Sequence, residues 1–500
     1  MRNDIAARKA KAFALASAGR FADALLAYQD LCVQARDDAE VWYLCGAVYE
    51  QLGRRSEAIA AMREALALVP QQVEWRNHLG SLLELGEDLA AAENCYRQVL
   101  AYQPNHPAAR YNLGNVLNKR NLYPEALENL LKSFETFPND PRVNLALGIA
   151  LKAVGRLTEA ICALRHAVAL SPRYADAHNL LGFALQAVGD RRSAIACYEV
   201  ALRMDPNHSD AANNLAVMLL AEGKRDQAVV HAQRAVQLRP EKAGYYCTLG
   251  VVCHALGERQ KAIDAYRTAL QLNPRLTEPR FFLAAYGEEE APKRAPADYV
   301  RNLFDDYADI FDKTLVDRLG YRIPELLGTA VRRAVGNAAT PLDVIDLGCG
   351  TGLCGKVLRG IARYLVGVDL SPKMINKARE LNVYDELLIG DLLEPISISV
   401  RSYDLIVSAD VFVYIGDLSR VFSACRRTLR SGGLLAFSTE TDESADRFVL
   451  RSTGRYAHAP AYINQLAEEH ELEFVVRESV VVRTEAGTPV AGELVVLRRQ

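Results

Sequence analysis

The sequence has no excess of charge of either sign, no C-x-x-C pair or Cys/His quartet and no apolar run long enough to cross a bilayer. Each absence removes a class of function. Lys and Arg number 59 against 62 Asp and Glu, a formal net charge of −3. Binding to a nucleic-acid backbone or an anionic membrane calls for clustered basic residues, so neither partner is expected. Ten cysteines are scattered along the chain without a C-x-x-C pair or a Cys/His quartet, so no metal site is expected. They read as small buried hydrophobes of a reducing compartment. The start, "MRNDIAARKAKAF", has basic residues but no apolar stretch behind them, and the cytoplasm is the expected location. With 500 residues, half of them apolar, the chain is long enough for several cores.

What is there begins with a counted repeat. Prolines at 70, 104, 138, 172, 206, 240 and 274 stand 34 residues apart every time. Frames of 34 give eight units, starting near Ile5, Ala39, Val73, Pro107, Pro141, Ala175, Ser209 and Ala243. In "AHNLLGFALQAVGDRRSAIACYEVALRMDPN", apolar residues at helical spacing lie on either side of the turn glycine Gly189. That pattern predicts two short amphipathic helices folded back on each other. Small residues such as Gly182 and Ala194 mark where the helices touch. Helices of about a dozen residues are marginal alone, so stability must come from stacking unit on unit.

Length, order and spacing resemble the tetratricopeptide repeat over residues 5 to 276. "TEPRFFLAAYGEEE" then reads as a capping helix, which extends the array to 5–286. The resemblance implies a groove for a protein or peptide partner. Asn112, Asn115, Asn118 and Lys119 in the fourth unit, and Asn213 and Asn214 in the seventh, could hydrogen-bond a peptide backbone, or could cap and turn the chain.

Residues 287–298, "GEEEAPKRAPAD", mix Pro, Ala and alternating charge and read as a solvated linker. Beyond them, over 299–500, Val- and Ile-rich runs alternate with helical stretches: "LDVIDLG", "RYLVGVDLS", "ELLIGDL", "YDLIVSAD" and "GLLAFSTE". These are five strands of a parallel sheet. "LEFVVRESVVVRTEAGTPVAGELVVLRR" adds two strands as an antiparallel hairpin. The expected architecture is multidomain: an all-α superhelix of repeats followed by an α/β doubly wound sheet of seven strands with a terminal hairpin.

"IDLGCGTG", 345 to 352, places Gly348, Gly350 and Gly352 where the first strand turns into a helix from about Leu353. In such sheets ligands bind at that turn. A dinucleotide site wants glycine at the sixth position of the motif, where Leu353 stands. The other ligand class is S-adenosylmethionine, whose ammonium Asp346 would neutralise. Asp369, ending the second strand, would accept from both ribose hydroxyls, and Asp391 would accept from the adenine amino group beside Leu392. Cys349, Leu370 and Asp410 complete the expected cofactor contacts.

The region from about Tyr299 resembles the class I S-adenosylmethionine-dependent methyltransferases. More narrowly, "DLGCGTGLCG", "VGVDLSPKM", "YDEL", "YDLIVSADVFVYIGDL", "FSTE" and "GRYAHAPAYI" resemble bacterial predicted methyltransferases that carry tetratricopeptide repeats. The resemblance implies cofactor and reaction but no acceptor. Candidates for acid or base help are Asp410, Tyr414, Glu440 and His458, with Tyr307, Phe311 and Tyr321 as a helical lid. His458 has a structural alternative as a cap or packing residue, and Cys349 and Cys354 read as packing. "SADVF" stands where a base methyltransferase carries D/N-P-P-Y/F, so nucleic acid is not the expected acceptor. The expected function is methyl transfer with the array recruiting a protein substrate or partner. The alternatives are a small-molecule O- or N-methyltransferase whose repeats only dock it to an assembly, and a non-catalytic peptide-binding scaffold.

Overall fold

Each 34-residue frame folds as two helices because its apolar residues recur at helical spacing on one stripe and its ends are punctuated. The frame from Ala175 shows how, with α11 (Ala175–Ala187) and α12 (Arg191–Met204). Asp190 caps α12 by accepting from Ser193 N at 3.1 Å. Ala194, Tyr198 and Ala201 form its buried stripe. A Cβ on Gly182 would meet the Tyr198 ring at 2.8 Å, so only glycine lets that tyrosine lie across the first helix. The same offset of sixteen pairs Gly80 with Tyr96 and Gly148 with Leu164. The close approach therefore serves a large residue of the partner helix in the same repeat.

The computed structural model describes residues 2–308, 311, 321–336, 340–398, 401–485 and 488–500. Two compact units divide the chain, Met1–Lys224 and Arg225–Gln500. Among the described residues, the first runs from helix α1 (Arg2–Ser17) to α13 (Ser209–Ala221). Its cores run from helix to helix along the stack, as stability by neighbour contact requires. Among the described residues, no helix is long and apolar enough to cross a membrane.

The second unit begins with α14 (Arg225–Leu238), α15 (Ala243–Ala255), α16 (Arg259–Leu272) and α17 (Thr277–Ala285). The expected capping helix is α17, and it is buried nearly all round, from Phe281 at 1 % exposed to Ala285 at 7 %. One side stacks Phe282 on Tyr266, with ring centroids 5.5 Å apart. The other meets Tyr299 and Tyr456, at 5.4 and 6.4 Å from the Phe281 ring. The last repeat and the sheet domain thus share one apolar cluster.

That arrangement corrects part of the reading of 287–298 as a solvated linker: 287–290, 292, 293 and 298 are exposed, but the segment is pinned to the sheet domain. Ala295 is 2 % exposed. Lys293 O accepts from Gly416 N and Asp417 N, both at 2.9 Å, and Ala295 N donates to Tyr414 O at 2.9 Å. Pro292 O accepts from the Tyr456 hydroxyl at 2.6 Å. Composition alone could not reveal these partners, because they lie more than a hundred residues downstream.

The sheet strands are β1 (Leu342–Leu347), β2 (Ala362–Asp369), β3 (Glu386–Ile389), β4 (Tyr403–Ser408), β5 (Leu429–Thr441), β6 (Phe448–Leu450), β7 (Tyr456–His458), β8 (Leu472–Glu485) and β9 (Thr488–Arg499). Parallel pairing orders the first five as β3-β2-β1-β4-β5. Antiparallel β9 joins β5, and β8 pairs β9 as the expected hairpin. Both faces are covered. Ile345, Leu347, Ile406 and Phe437 pack in one core with Phe422 and Tyr462, while Val344, Leu405, Val407 and Ala436 pack in another with Leu327 and Val331. The alternation is what period two dictates for a strand buried on both sides. The seven expected strands are thus present. The short pair β6 and β7 is an addition, antiparallel to each other, with β7 parallel to the end of β5.

Candidate functional site

At the carboxyl end of β1, flanked by β2 and β4, the chain turns through Gly348, Gly350 and Gly352, whose φ angles are 74°, 52° and 95°. A Cβ on Gly348 would run into Val411, whereas one on Gly350 would find its nearest atom 3.9 Å away, on Phe311 at the cavity wall. Glycine is therefore required for backbone conformation at Gly350 and for space as well at Gly348. The loop N–H groups are largely used within the fold. Gly348 N and Cys349 N donate to Val368 O at 2.8 and 2.9 Å, and Gly352 N donates to Cys349 O at 2.9 Å. Gly350 N donates to Asp369 Oδ2 at 2.9 Å. The helix that follows, Leu353–Leu358, is only six residues long. The loop shapes the site more than it supplies donors.

Beside the loop is an open cavity. Among the sequence-predicted residues, Gly348, Gly350, Asp369, Leu370, Asp391, Leu392, Asp410 and Tyr414 line it, with Phe311 and Tyr321. Asp346 lies beneath at 1 % exposed. Its Oδ2 accepts from the Tyr384 hydroxyl at 2.7 Å, and its Oδ1 is buried without a partner. Burial pushes its carboxyl up to about 7. Asp369 is pushed to about 6, again by burial, against hydrogen bonds from Ser371 N and Gly350 N that favour its ionised form. An orphaned buried carboxylate oxygen is a site prepared for a cationic donor. Asp369 accepts one backbone N–H on each oxygen, which leaves lone pairs for a pair of hydroxyls.

Asp410 follows β4 with φ of 58°, a conformation uncommon outside glycine. Its N donates to Ser438 Oγ at 2.9 Å, and its Oδ1 meets Arg483 Nη1 at 3.3 Å. Arg483, on β8, is 2 % exposed and also pairs with Glu440. Glu440 is bound from its other side by Arg451 at 3.0 Å. It is thus an anchor for cations and lies outside the cavity lining. Tyr414 faces the cavity with its ring edge-on to Phe304, 5.5 Å between centroids.

Other expected residues fall elsewhere. His458 is fully buried, with Nε2 2.9 Å from Ile415 O, and burial lowers its imidazole to about 4. It does not line the cavity, and its packing alternative accounts for its geometry. Cys349 and Cys354 are buried thiols pushed well up by desolvation, as packing residues should be. The side chain of Tyr307 is outside the described residues. In the array, Asn112 donates to Asn77 Oδ1 at 3.1 Å, and Asn214 to Asn179 Oδ1 at 3.1 Å. Asn115 and Lys119 both reach Glu84, at 2.8 and 2.7 Å. Asn118 donates to Ala146 O at 2.9 Å. These side chains tie each repeat to a neighbour.

Three site residues escaped the sequence reading. Tyr384 stood in the quoted "YDEL" without a role, and Arg483 lay within a strand pattern whose alternation hid its charge. Arg294, which lines the cavity and pairs with Asp391, lay in the supposed linker.

Residues 345–437 match the family model described as a methyltransferase domain. Models of the tetratricopeptide repeat match 39–72, 77–141, 180–243 and 243–276, and a TPR repeat model matches 151–189. The chain is 33 % identical over 112 residues to the malonyl-[acyl-carrier protein] O-methyltransferase of Yersinia pestis, covering 22 % of this chain and 42 % of that one. To the enzyme of the same name from Pectobacterium atrosepticum it is 34 % identical over 125 residues, 25 % of this chain and 49 % of that one. The chain thus spans about half the length, or less, of these curated relatives. A solved tetratricopeptide repeat protein from Parabacteroides merdae aligns with 50 % of this chain and 99 % of its own, at 17 % identity and a TM-score of 0.42.

Proposed function

From a chain that joins tetratricopeptide repeats to a class I methyltransferase domain, which uses S-adenosylmethionine, we propose an enzyme that methylates an acceptor held on, or brought by, a protein partner. The observation that carries the proposal is the buried, unpaired Oδ1 of Asp346 beneath the glycine loop. The cofactor's ammonium supplies the missing donor and charge. Asp369 accepts from the ribose hydroxyls, and Asp391 with Leu392 borders the base. Gly348, Cys349, Gly350, Gly352 and Leu370 shape the remaining wall. In this reading residues 5–286 recruit, 299–500 carry the chemistry, and 287–298 join them; a cytoplasmic location agrees with it.

The bound cofactor supplies an electrophilic methyl group. The protein's work is to hold the nucleophile in line with it and to exclude water. Phe304, Phe311 and Tyr321 make that part of the cavity apolar. The described lining contains no histidine or lysine. A carboxylate acceptor needs no base, and for a hydroxyl or amine Asp410 is the base, with Tyr414 beside it. We give His458 no catalytic part.

Recruitment is supported by α17, whose two faces are buried against the last repeat on one side and the sheet domain on the other. A partner seated on the last repeat is thereby kept at a fixed distance from the cavity, which raises its effective concentration. Asn112, Asn115 and Asn214 would contribute through the ordered surface that their inter-repeat bonds create. The names of the relatives, in which a small acyl group is carried on a protein, agree with the proposed reading; the second reading is a small-molecule O- or N-methyltransferase whose repeats only dock it to an assembly.

The test is transfer of labelled methyl from S-adenosylmethionine by the full chain into size-fractionated extract of the source cell. Label in a protein fraction is the expected result. Label confined to small molecules would select the second reading, and no label with no cofactor binding would leave a scaffold.

A further inference from the structure

We propose that Arg294, carried by the junction between the repeats and the sheet, is a positioning residue of the cofactor site. It holds the Asp391 carboxylate so that it accepts from the amino edge of the base. The inference rests on reading the cavity as an S-adenosylmethionine site, and it adds a residue from outside the methyltransferase motifs.

Asp391 follows the end of β3. Its Oδ1 accepts from Leu393 N at 3.0 Å, and its Oδ2 is bound by the Arg294 guanidinium. A carboxylate has about four acceptor directions, so roughly two remain for a ligand. The pair is partly open to solvent, 41 % for Arg294 and 20 % for Asp391. As a source of stability such a pair contributes little. Its placement is nevertheless specified by the backbone on either side.

Arg294 forms a bridge with Ile415, Lys293 O takes two N–H groups and Ala295 N gives one to Tyr414 O. The next helix, α18 (Ala297–Tyr307), is fastened as well: Asp305 accepts from the Ser371 hydroxyl and from Lys373 N, beside Asp369. Arg294, Ala295, Val300 and Phe304 all line the cavity. A segment fixed at both ends, with the Arg294 guanidinium aimed at the carboxylate beside the expected base, is built to orient that carboxylate. Without the guanidinium, the Asp391 carboxylate is held on one oxygen only, by Leu393 N.

Orientation has a chemical signature. The 6-amino group of adenine donates to a carboxylate, whereas the 6-oxo group of an inosine-type analogue meets it with a lone pair. The full-length wild type is expected to bind S-adenosylhomocysteine at least about tenfold more tightly than S-inosylhomocysteine, the scale of a hydrogen bond to a charged acceptor. Arg294→Ala is expected to narrow that ratio to within about threefold, with an unchanged melting temperature. Arg294→Lys keeps the charge but not the planar guanidinium, and should fall between. Calorimetric titration of all three proteins with both ligands decides the matter. Equal weakening of both ligands, with the ratio kept, would assign Arg294 a structural role only and overturn the inference. An unchanged ratio in Arg294→Lys would do the same if the alanine variant does not fold. A wild type that binds neither ligand would overturn the site reading along with it, whereas a wild type that binds and discriminates through variants of unaltered ratio overturns this inference alone.

Discussion

Replacing Asp346 by asparagine should make the ligand-free protein more stable at pH 8 and its cofactor site much weaker. Asp346 is buried, with one hydrogen bond from Tyr384 and one oxygen unpaired. Burial raises its carboxyl from the ordinary 3.8 to about 7. At about 1.36 kcal/mol for each tenfold change, ionising it in place costs about 4 kcal/mol. A raised value means that the stability contribution of the neutral acid is complete below about pH 4 and is lost as pH rises through about 7. The amide in Asp346→Asn never ionises and so avoids that loss. Its N–H groups take the unpaired position, at a cost of about 1–3 kcal/mol. The net gain at pH 8 is therefore about 1–3 kcal/mol, and it should vanish or reverse at pH 5, where the wild-type carboxyl is neutral. Urea unfolding without ligand at the two pH values measures this. On the proposed reading the same substitution removes the counter-charge for the cofactor's ammonium, so calorimetry with S-adenosylhomocysteine at pH 8 should show about a hundredfold weaker binding. A variant less stable than wild type at both pH values, or one with unaltered affinity, would refute the reasoning.

Three further substitutions or probes bear on other parts of the account. Arg483→Met leaves Glu440 buried without the partner it has on β8, and should cost about 3–5 kcal/mol in urea unfolding; a loss under 1 kcal/mol would mean the network is more hydrated than described. Gly182→Ala puts a methyl 2.8 Å from the Tyr198 ring and should cost about 1–3 kcal/mol while leaving the helical circular dichroism unaltered. A neutral or stabilising effect would show that the repeat repacks freely. Cys349 and Cys354, buried with thiols pushed well up, should resist an aromatic disulfide reagent at pH 8 in the folded chain, whereas the exposed Cys162 reacts. Peptide mass spectrometry after brief labelling reads this directly, and early modification of Cys349 would contradict the closed loop.

How much of this was legible in the sequence depended on how local each signal is. The repeats were readable because one frame carries its whole pattern within 34 residues, and Gly182 meets Tyr198 only sixteen positions on. The strands were readable for the same reason, since alternation and Val/Ile runs are local. The two strands of the terminal hairpin were readable in the same way, although Thr488 and Pro489, read as part of its turn, belong to the second strand. The site was half legible: Asp346, Asp369 and Asp391 stand at strand ends where topology alone points to a ligand. The rest depends on contacts between distant residues. Arg294 reaches Asp391 across 97 positions and Arg483 reaches Asp410 across 73, and neither cation has a neighbour in sequence that announces its partner. His458 resembled a catalytic residue because composition cannot report burial, and sequence does not show that Asn112, Asn115, Asn118 and Asn214 are already bonded to a neighbouring repeat. The strands β6 and β7, three residues each, are too short for periodicity to register.

The central claim, that the cavity beside the glycine loop is an S-adenosylmethionine site, is tested most directly by calorimetric titration of S-adenosylhomocysteine into the full chain and into Asp369→Ala. The account predicts one site per chain in the wild type and no measurable binding in the variant, with the fold intact by circular dichroism. Equal affinity in the two proteins would contradict it.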